Sequence, residues 1–285
     1  MKTVRRLIAA LPLLALPAAA AIAARGMPAW AWMWAVAAAT VAGCKWLSWF
    51  TAAATAPAWR HAAYLLAWPG MDAEAFLLRA ATRPAAREWA WATAKTLFGL
   101  VLIAVAVGGV DRRPFTFAWI GMAGLIFALH CGAFHLLSCA WRALGVDAAP
   151  VMRNPIAART VGEFWGRRWN MAFRDLTHRF LFRPLTGRLG ARWAVAVGFV
   201  FSGLMHELVI TVPAGGGYGL PTLYFAIQGA AMLFERTRPG AAVRGRVWTV
   251  AVVAGGAPML FPPPFVTRVV APFFQFLGDV AKGCV

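Results

Sequence analysis

Residues 193–212 read WAVAVGFVFSGLMHELVITV, an apolar run whose only ionisable groups are one adjacent histidine and glutamate. A hydrocarbon core of ~30 Å takes a helix of about 20 such residues. Comparable runs recur, and eight spans can be drawn: roughly 6–24, 29–50, 94–110, 114–138, 193–212, 220–236, 247–262 and 264–281. The last two alternatively form one re-entrant pair around Pro262, Pro263 and Pro264. The spacing predicts an all-α fold: a polytopic membrane helical bundle of about eight helices with cytosolic interfacial amphipathic helices. Composition agrees, since hydrophobic residues make up 61% and charged residues 13%, against about a quarter charged in a soluble domain. No hydrophilic stretch is long enough to fold separately, so 1–285 reads as a single membrane domain. The first run resembles a signal peptide behind Lys2, Arg5 and Arg6, but it is long and proline-interrupted, and a retained first helix is expected.

Net charge is +18. In a soluble protein that would point to nucleic acid; here the basic residues sit in connections beside apolar runs, where they set orientation. Anionic headgroups or a phosphorylated cytosolic substrate are further partners for them. Every second connection is basic. The N-terminus, 51–93, 139–192 (with ten arginines) and 236–246 are therefore expected in the cytosol, and the C-terminus with them. Cys44, Cys131, Cys139 and Cys284 lack metal-type spacing and read as buried free thiols, with neither a disulfide framework nor a zinc site.

Segment 51–93 mixes Trp59, Trp68, Trp89 and Trp91 with arginines, as at a headgroup boundary. Between 161 and 181, Trp165, Trp169, Ala172, Leu176 and Phe180 recur at helical spacing, and Glu163, Arg167, Asn170 and Arg174 form a second stripe. One amphipathic helix in the interface is expected, either catalytic or a plain anchor with solvated charges.

Ionisable groups inside a span are costly and default to functional candidates. At ~1.5 Å per residue, His206 lies roughly 20 Å along its helix from the cytosolic end. Glu207 beside it requires protonation, an arginine partner or a polar cavity. Ser202 and Gly203, one turn earlier, offer a hydroxyl and room for close approach. No second histidine stands at HExxH spacing, so a zinc protease is disfavoured and no metal is indicated; the bland alternative is a polar knot between helices. His130 and His135 have no carboxylate nearby in sequence and read as packing residues. Asp175 and His178 suit a surface hydrogen bond, and Gly215-Gly216-Gly217 a flexible turn.

EFWGRRWNMAFRDLTHRFLFRPL (163–185) followed by FVFSGLMHEL (199–208) resembles the wax synthase branch of the membrane-bound O-acyltransferase (MBOAT) superfamily. WPGMD (68–72) and PTLYFAIQGAAMLFE (221–235) are similar to further family elements, and the likeness centres on a core of about 150–236. The resemblance implies an MBOAT-like bundle, with acyl-CoA entering from the cytosol as co-substrate and a hydroxyl acceptor, a long-chain or lipid alcohol, meeting it in a membrane tunnel. It implies catalytic roles for His206 and Asn170, with Trp169 and Arg168 shaping the segment beside Asn170. Arg167, Arg174, Glu207 and Ser202 complete the candidate substrate-binding set, with Arg153 and Arg159 on the same face for the coenzyme A phosphates. No other cofactor is indicated.

An alcohol needs a base within hydrogen-bond reach, and imidazole, with a reference pKa of ~6.5, is mostly neutral and able to accept. Asn170 would either orient His206 or donate to the developing oxyanion. Two rivals stay open at this point. One is an O-acetyltransferase acting on a sugar or polysaccharide hydroxyl. The other is a proton-coupled transporter using His206 and Glu207, although the internal repeat it calls for is not visible. A lipid-binding protein without turnover is a third, disfavoured because the RWN and HE elements occur together.

Overall fold

The computed structural model describes residues 2–283, with side chains from residue 8 onward. Cys284 and the side chains of Lys2, Arg5 and Arg6, which entered the readings above, lie outside the described residues. Among the described residues the chain is helical throughout, and extended backbone pairs only in an isolated bridge between Ala80 and Val146. The helices gather into two compact units, Met1–Val151 with Val266–Val285, and Met152–Phe265.

Among the described residues, three helices are long and apolar enough to cross a membrane: Ala86–Gly109, Pro114–Ala143 and Ala191–Ala214. Arg246–Leu260 and Pro263–Ala281 qualify only as one broken pair, interrupted where the prolines stand. Ile8–Ala23 and Leu220–Phe234 are apolar but shorter. Ala29–Ala52 has the length, but its tryptophans and Lys45 dilute the apolar run. By length and composition the count therefore falls below the eight spans drawn from the sequence.

In the first unit, Ala86–Gly109 packs against Pro114–Ala143 through small residues. A Cβ on Gly99 would run into the backbone of Ala128 and Gly124, so only glycine permits this approach. A polar clasp joins the same two helices. Glu88 accepts from both Arg142 guanidinium nitrogens and lies 2.9 Å from His135 Nε2, while Lys95 Nζ is 2.7 Å from His135 Nδ1. His135 thus has a carboxylate partner after all, contributed from 47 residues away. His130 packs on Phe134, with Nδ1 buried and without a hydrogen bond. In WPGMD the Gly70 carbonyl accepts from the buried Lys45 Nζ (2.8 Å) and Asp72 caps the helix Ala73–Leu78, so this element is architectural. Cys44, Cys131 and Cys139 are buried free thiols, as expected.

The second unit corrects the single amphipathic helix expected over 161–181. The chain runs as a helix from Val161 to Arg168, its later turns widened, and then breaks: Trp169 is extended (φ −97°, ψ 129°) and Asn170 is left-handed (φ 44°, ψ 63°). A new helix starts at Met171. Asparagine is among the few non-glycine residues that occupy this basin, because its short amide bonds locally. Here Asn170 Oδ1 accepts from Phe173 N–H (3.2 Å), capping the new helix. The apolar stripe survives in part, with Ala172 and Leu176 buried; Val161, Phe164 and Met171 join them.

Candidate active site

Helix Ala191–His206 carries the histidine, and helix Leu220–Phe234 packs along it. The second helix buries Pro221, Tyr224, Phe225 and Gln228, the i, i+3, i+4, i+7 pattern of one helical face. The two axes come close because residue 203 is glycine: a Cβ there would stand 2.6 Å from Thr222 Cα.

His206 Nδ1 is 2.7 Å from the Ser202 carbonyl oxygen. A carbonyl only accepts, so Nδ1 carries the hydrogen, and in the neutral ring Nε2 carries the lone pair. Nε2 has no hydrogen-bond partner among the described residues. The ring lies against Phe225, centroids 4.5 Å apart. Phe225 in turn touches Trp165 at 5.4 Å, and Trp165 Nε1 donates to Gln228 Oε1 at 3.2 Å. Gln228, fully buried, donates onward to the Val252 carbonyl at 2.9 Å. An oriented imidazole with an open basic nitrogen in aromatic surroundings is equipped to take a proton from an apolar alcohol.

Both oxygens of the Glu207 carboxylate are engaged by neighbouring groups. Its Oε1 accepts from Thr222 N–H (3.1 Å) and Thr222 Oγ1 (2.9 Å), and its Oε2 from Thr211 Oγ1 (2.5 Å). Thr222 lies in the first turn of Leu220–Phe234, where backbone N–H groups have no intrahelical acceptor. Glu207 therefore caps the neighbouring helix, and neither an arginine nor protonation is needed. Glu207→Ala should lower stability by about 2 kcal/mol, as expected for stranded buried donors, read as an earlier thermal midpoint, with Glu207→Gln milder. A raised KM at unchanged stability would instead restore the substrate-binding assignment.

The arginines divide into two kinds. Arg168 is structural: it pairs with Glu163 (2.6 Å) and donates to the Arg153 and Asn154 carbonyls at 3.3 and 3.2 Å. The Arg159 backbone N–H and the Arg168 guanidinium hold the Glu163 carboxyl below the usual carboxylate range. Arg174 pairs with Asp175 at 2.5 Å, so Asp175 does not serve His178, which stacks on Phe182. Arg167 and Arg153 are exposed, and their side chains have no partner among the described residues. Trp169 stacks on Phe164, centroids 5.4 Å apart. Ser202 Oγ donates back to the Gly198 carbonyl (3.1 Å), leaving its own carbonyl as the residue's contribution to His206.

No hydrogen bond links Asn170 to His206 among the described residues. With Oδ1 engaged as a cap, the Asn170 amide nitrogen is the free end, which favours an N–H donor over a histidine orienter. Sequence reasoning missed Gln228, Phe225 and Trp165 as supports of His206; the buried glutamine in an apolar helix was the available signal. Glu88, His135 and Cys139 bring three donor atoms within 4.8 Å of one another. Arg142 and Lys95 already engage their lone pairs, an arrangement unfavourable to a cation.

Residues 148–227 match the model of the membrane bound O-acyl transferase family. Over this stretch, under a third of the chain, the sequence is similar to that family. The matched segment holds Asn170, His206 and the first half of the helix that packs on it, all within the second unit. Over 73 residues (23% of this chain, 21% of the relative) it is 40% identical to the long-chain-alcohol O-fatty-acyltransferase of Simmondsia chinensis. Over 145 residues (44% and 42%) it is 30% identical to "Probable long-chain-alcohol O-fatty-acyltransferase 9" of Arabidopsis thaliana. The chain thus spans less than half the length of these relatives. The match and the apolar helices together support an integral membrane protein.

Proposed function

We propose that this protein is an O-acyltransferase that moves an acyl group from acyl-CoA to the hydroxyl of a long-chain or lipid alcohol. The observation that carries the reading is the His206 ring, fixed through Nδ1 with Nε2 open beside Phe225. Nε2 takes the hydroxyl proton as the alcohol oxygen bonds to the thioester carbon. The C–S bond then breaks, and the coenzyme A thiolate leaves with the proton returned by Nε2. The Asn170 amide N–H donates to the carbonyl oxygen as it gains charge. Exposed Arg153 and Arg167 face the cytosolic phosphates of the donor. Aromatic walls and the named relatives support an apolar acceptor. In this reading the chain is multi-pass, with the shorter apolar helices completing a bundle of about eight and both termini in the cytosol.

Purified protein in nanodiscs, given palmitoyl- or acetyl-CoA with a fatty alcohol, a sterol or a sugar, is expected to release coenzyme A with the fatty alcohol. Release with the sugar alone would overturn the acceptor, and release with none of them the activity. Asn170→Asp keeps the capping oxygen and removes only the N–H donor. It should lower kcat by about 100-fold without moving the thermal midpoint; an unchanged kcat would remove Asn170 from the chemistry.

A further inference from the structure

Glu235 closes helix Leu220–Phe234 and is 3% exposed, yet it is absent from the reaction described above. Its carboxylate is held by three donors. Oε1 accepts from Val161 N–H at 2.7 Å and from Trp248 Nε1 at 3.0 Å, and Oε2 accepts from Gly162 N–H at 3.2 Å. Its own backbone carbonyl accepts from Arg244. Val161 and Gly162 open the helical segment that ends at Arg168, and their N–H groups have no intrahelical acceptor. Glu235 supplies both acceptors from more than 70 residues away.

What this first turn supports is the side of the histidine pocket. One turn on, Trp165 reaches Gln228 by its indole N–H and Phe225 by its ring, and Phe225 lies on His206. Glu235 and Gln228 stand on the same helix as Phe225, so the segment 161–168 is moored to that helix at two points, through Glu235 and through Gln228.

We propose that Glu235 is a positioning residue for acyl transfer: its carboxylate fixes the start of the 161–168 segment so that Trp165 and Phe225 hold His206 in place. The proposal rests on the acyl-transfer reading above. A carboxylate suits the task because two backbone N–H groups meet two different oxygens, and a primary amide must turn its own N–H towards one of them.

The test compares wild type, Glu235→Gln and Trp248→Phe as full chains in nanodiscs. Trp248→Phe removes one donor while leaving both backbone N–H groups held. In Glu235→Gln, amide hydrogen exchange is expected to quicken in peptides covering 160–169 and to stay unchanged in 193–206. Its kcat falls roughly 10- to 100-fold, the scale of a small misplacement, with KM for palmitoyl-CoA within about threefold. Trp248→Phe stays near wild type in both. Unchanged exchange in Glu235→Gln overturns the mooring. Exchange raised throughout 152–265, or kcat and KM both unchanged, reduces Glu235 to general stability and overturns the positioning role. Absence of wild-type turnover overturns the acyl-transfer reading and the positioning role with it, while the exchange data still decide the mooring.

Discussion

His206→Ala should abolish acyl transfer in practice, lowering acceptor-dependent coenzyme A release by about 1,000-fold, within the range seen when a general base is lost. That is ~4 kcal/mol of barrier. The ring's one hydrogen bond runs to the Ser202 carbonyl within its own helix, so removing it strands no side chain elsewhere and the fold should survive. Helix content and the thermal midpoint are therefore expected to hold in the inactive variant. His206→Asn sharpens the comparison: its amide N–H can still donate to a backbone carbonyl, but it offers no basic nitrogen. Both variants should be equally silent. Activity retained by a folded His206→Ala protein would remove the histidine from the chemistry and return the knot between helices as its role.

Gly203→Val should have the largest effect on folding. The helices Ala191–His206 and Leu220–Phe234 meet where a Cβ on residue 203 would lie 2.6 Å from Thr222 Cα and 3.2 Å from Thr222 Cβ. Backbone blocks that position, so no rotamer change relieves it. Overpacking of this kind costs about 1–3 kcal/mol. Separation of the helices also loosens the Glu207 bonds to half-buried Thr222, adding about 0.5–1.5 kcal/mol per hydrogen bond lost. Set against a typical stability of about 5–15 kcal/mol, the sum is enough to deplete folded protein. The readout is recovery of monodisperse protein and its thermal midpoint. Gly198 on the same helix is the control, because a Cβ there meets nothing within 4 Å; Gly198→Ala should be neutral or stabilising by up to about 1 kcal/mol. Equal tolerance at both positions would refute the close approach.

The parts of this structure that the sequence made legible are those governed by local periodicity. The run 193–212 became a helix of the expected length, and the spacing of Tyr224, Phe225 and Gln228 matches the buried face of the next one. The interruption at Trp169 and Asn170 was hidden, because helical stripes fit the residues on both sides and asparagine signals a left-handed turn only weakly. Length and composition do not confirm the spans where prolines and tryptophans intervene, as at 29–52 and 261–263. The distant partners of Glu88, Glu207 and Glu235 were not readable either: each carboxylate binds at least one group 15 or more residues away in sequence, and Glu235 one 74 away. His206 and Asn170 were singled out by the company of other motifs, whereas the residues that pack around His206 are set by tertiary contact alone.

The histidine's tautomer is set by a main-chain carbonyl, where many active sites use a carboxylate side chain for the purpose. A main-chain group is present whatever residue occupies position 202, so drift there cannot erase the tautomer while the helix persists. The proton arrangement is thereby buffered against mutation. This arrangement depends on helical geometry and on the glycine at 203, not on the identity of the residue that supplies the oxygen.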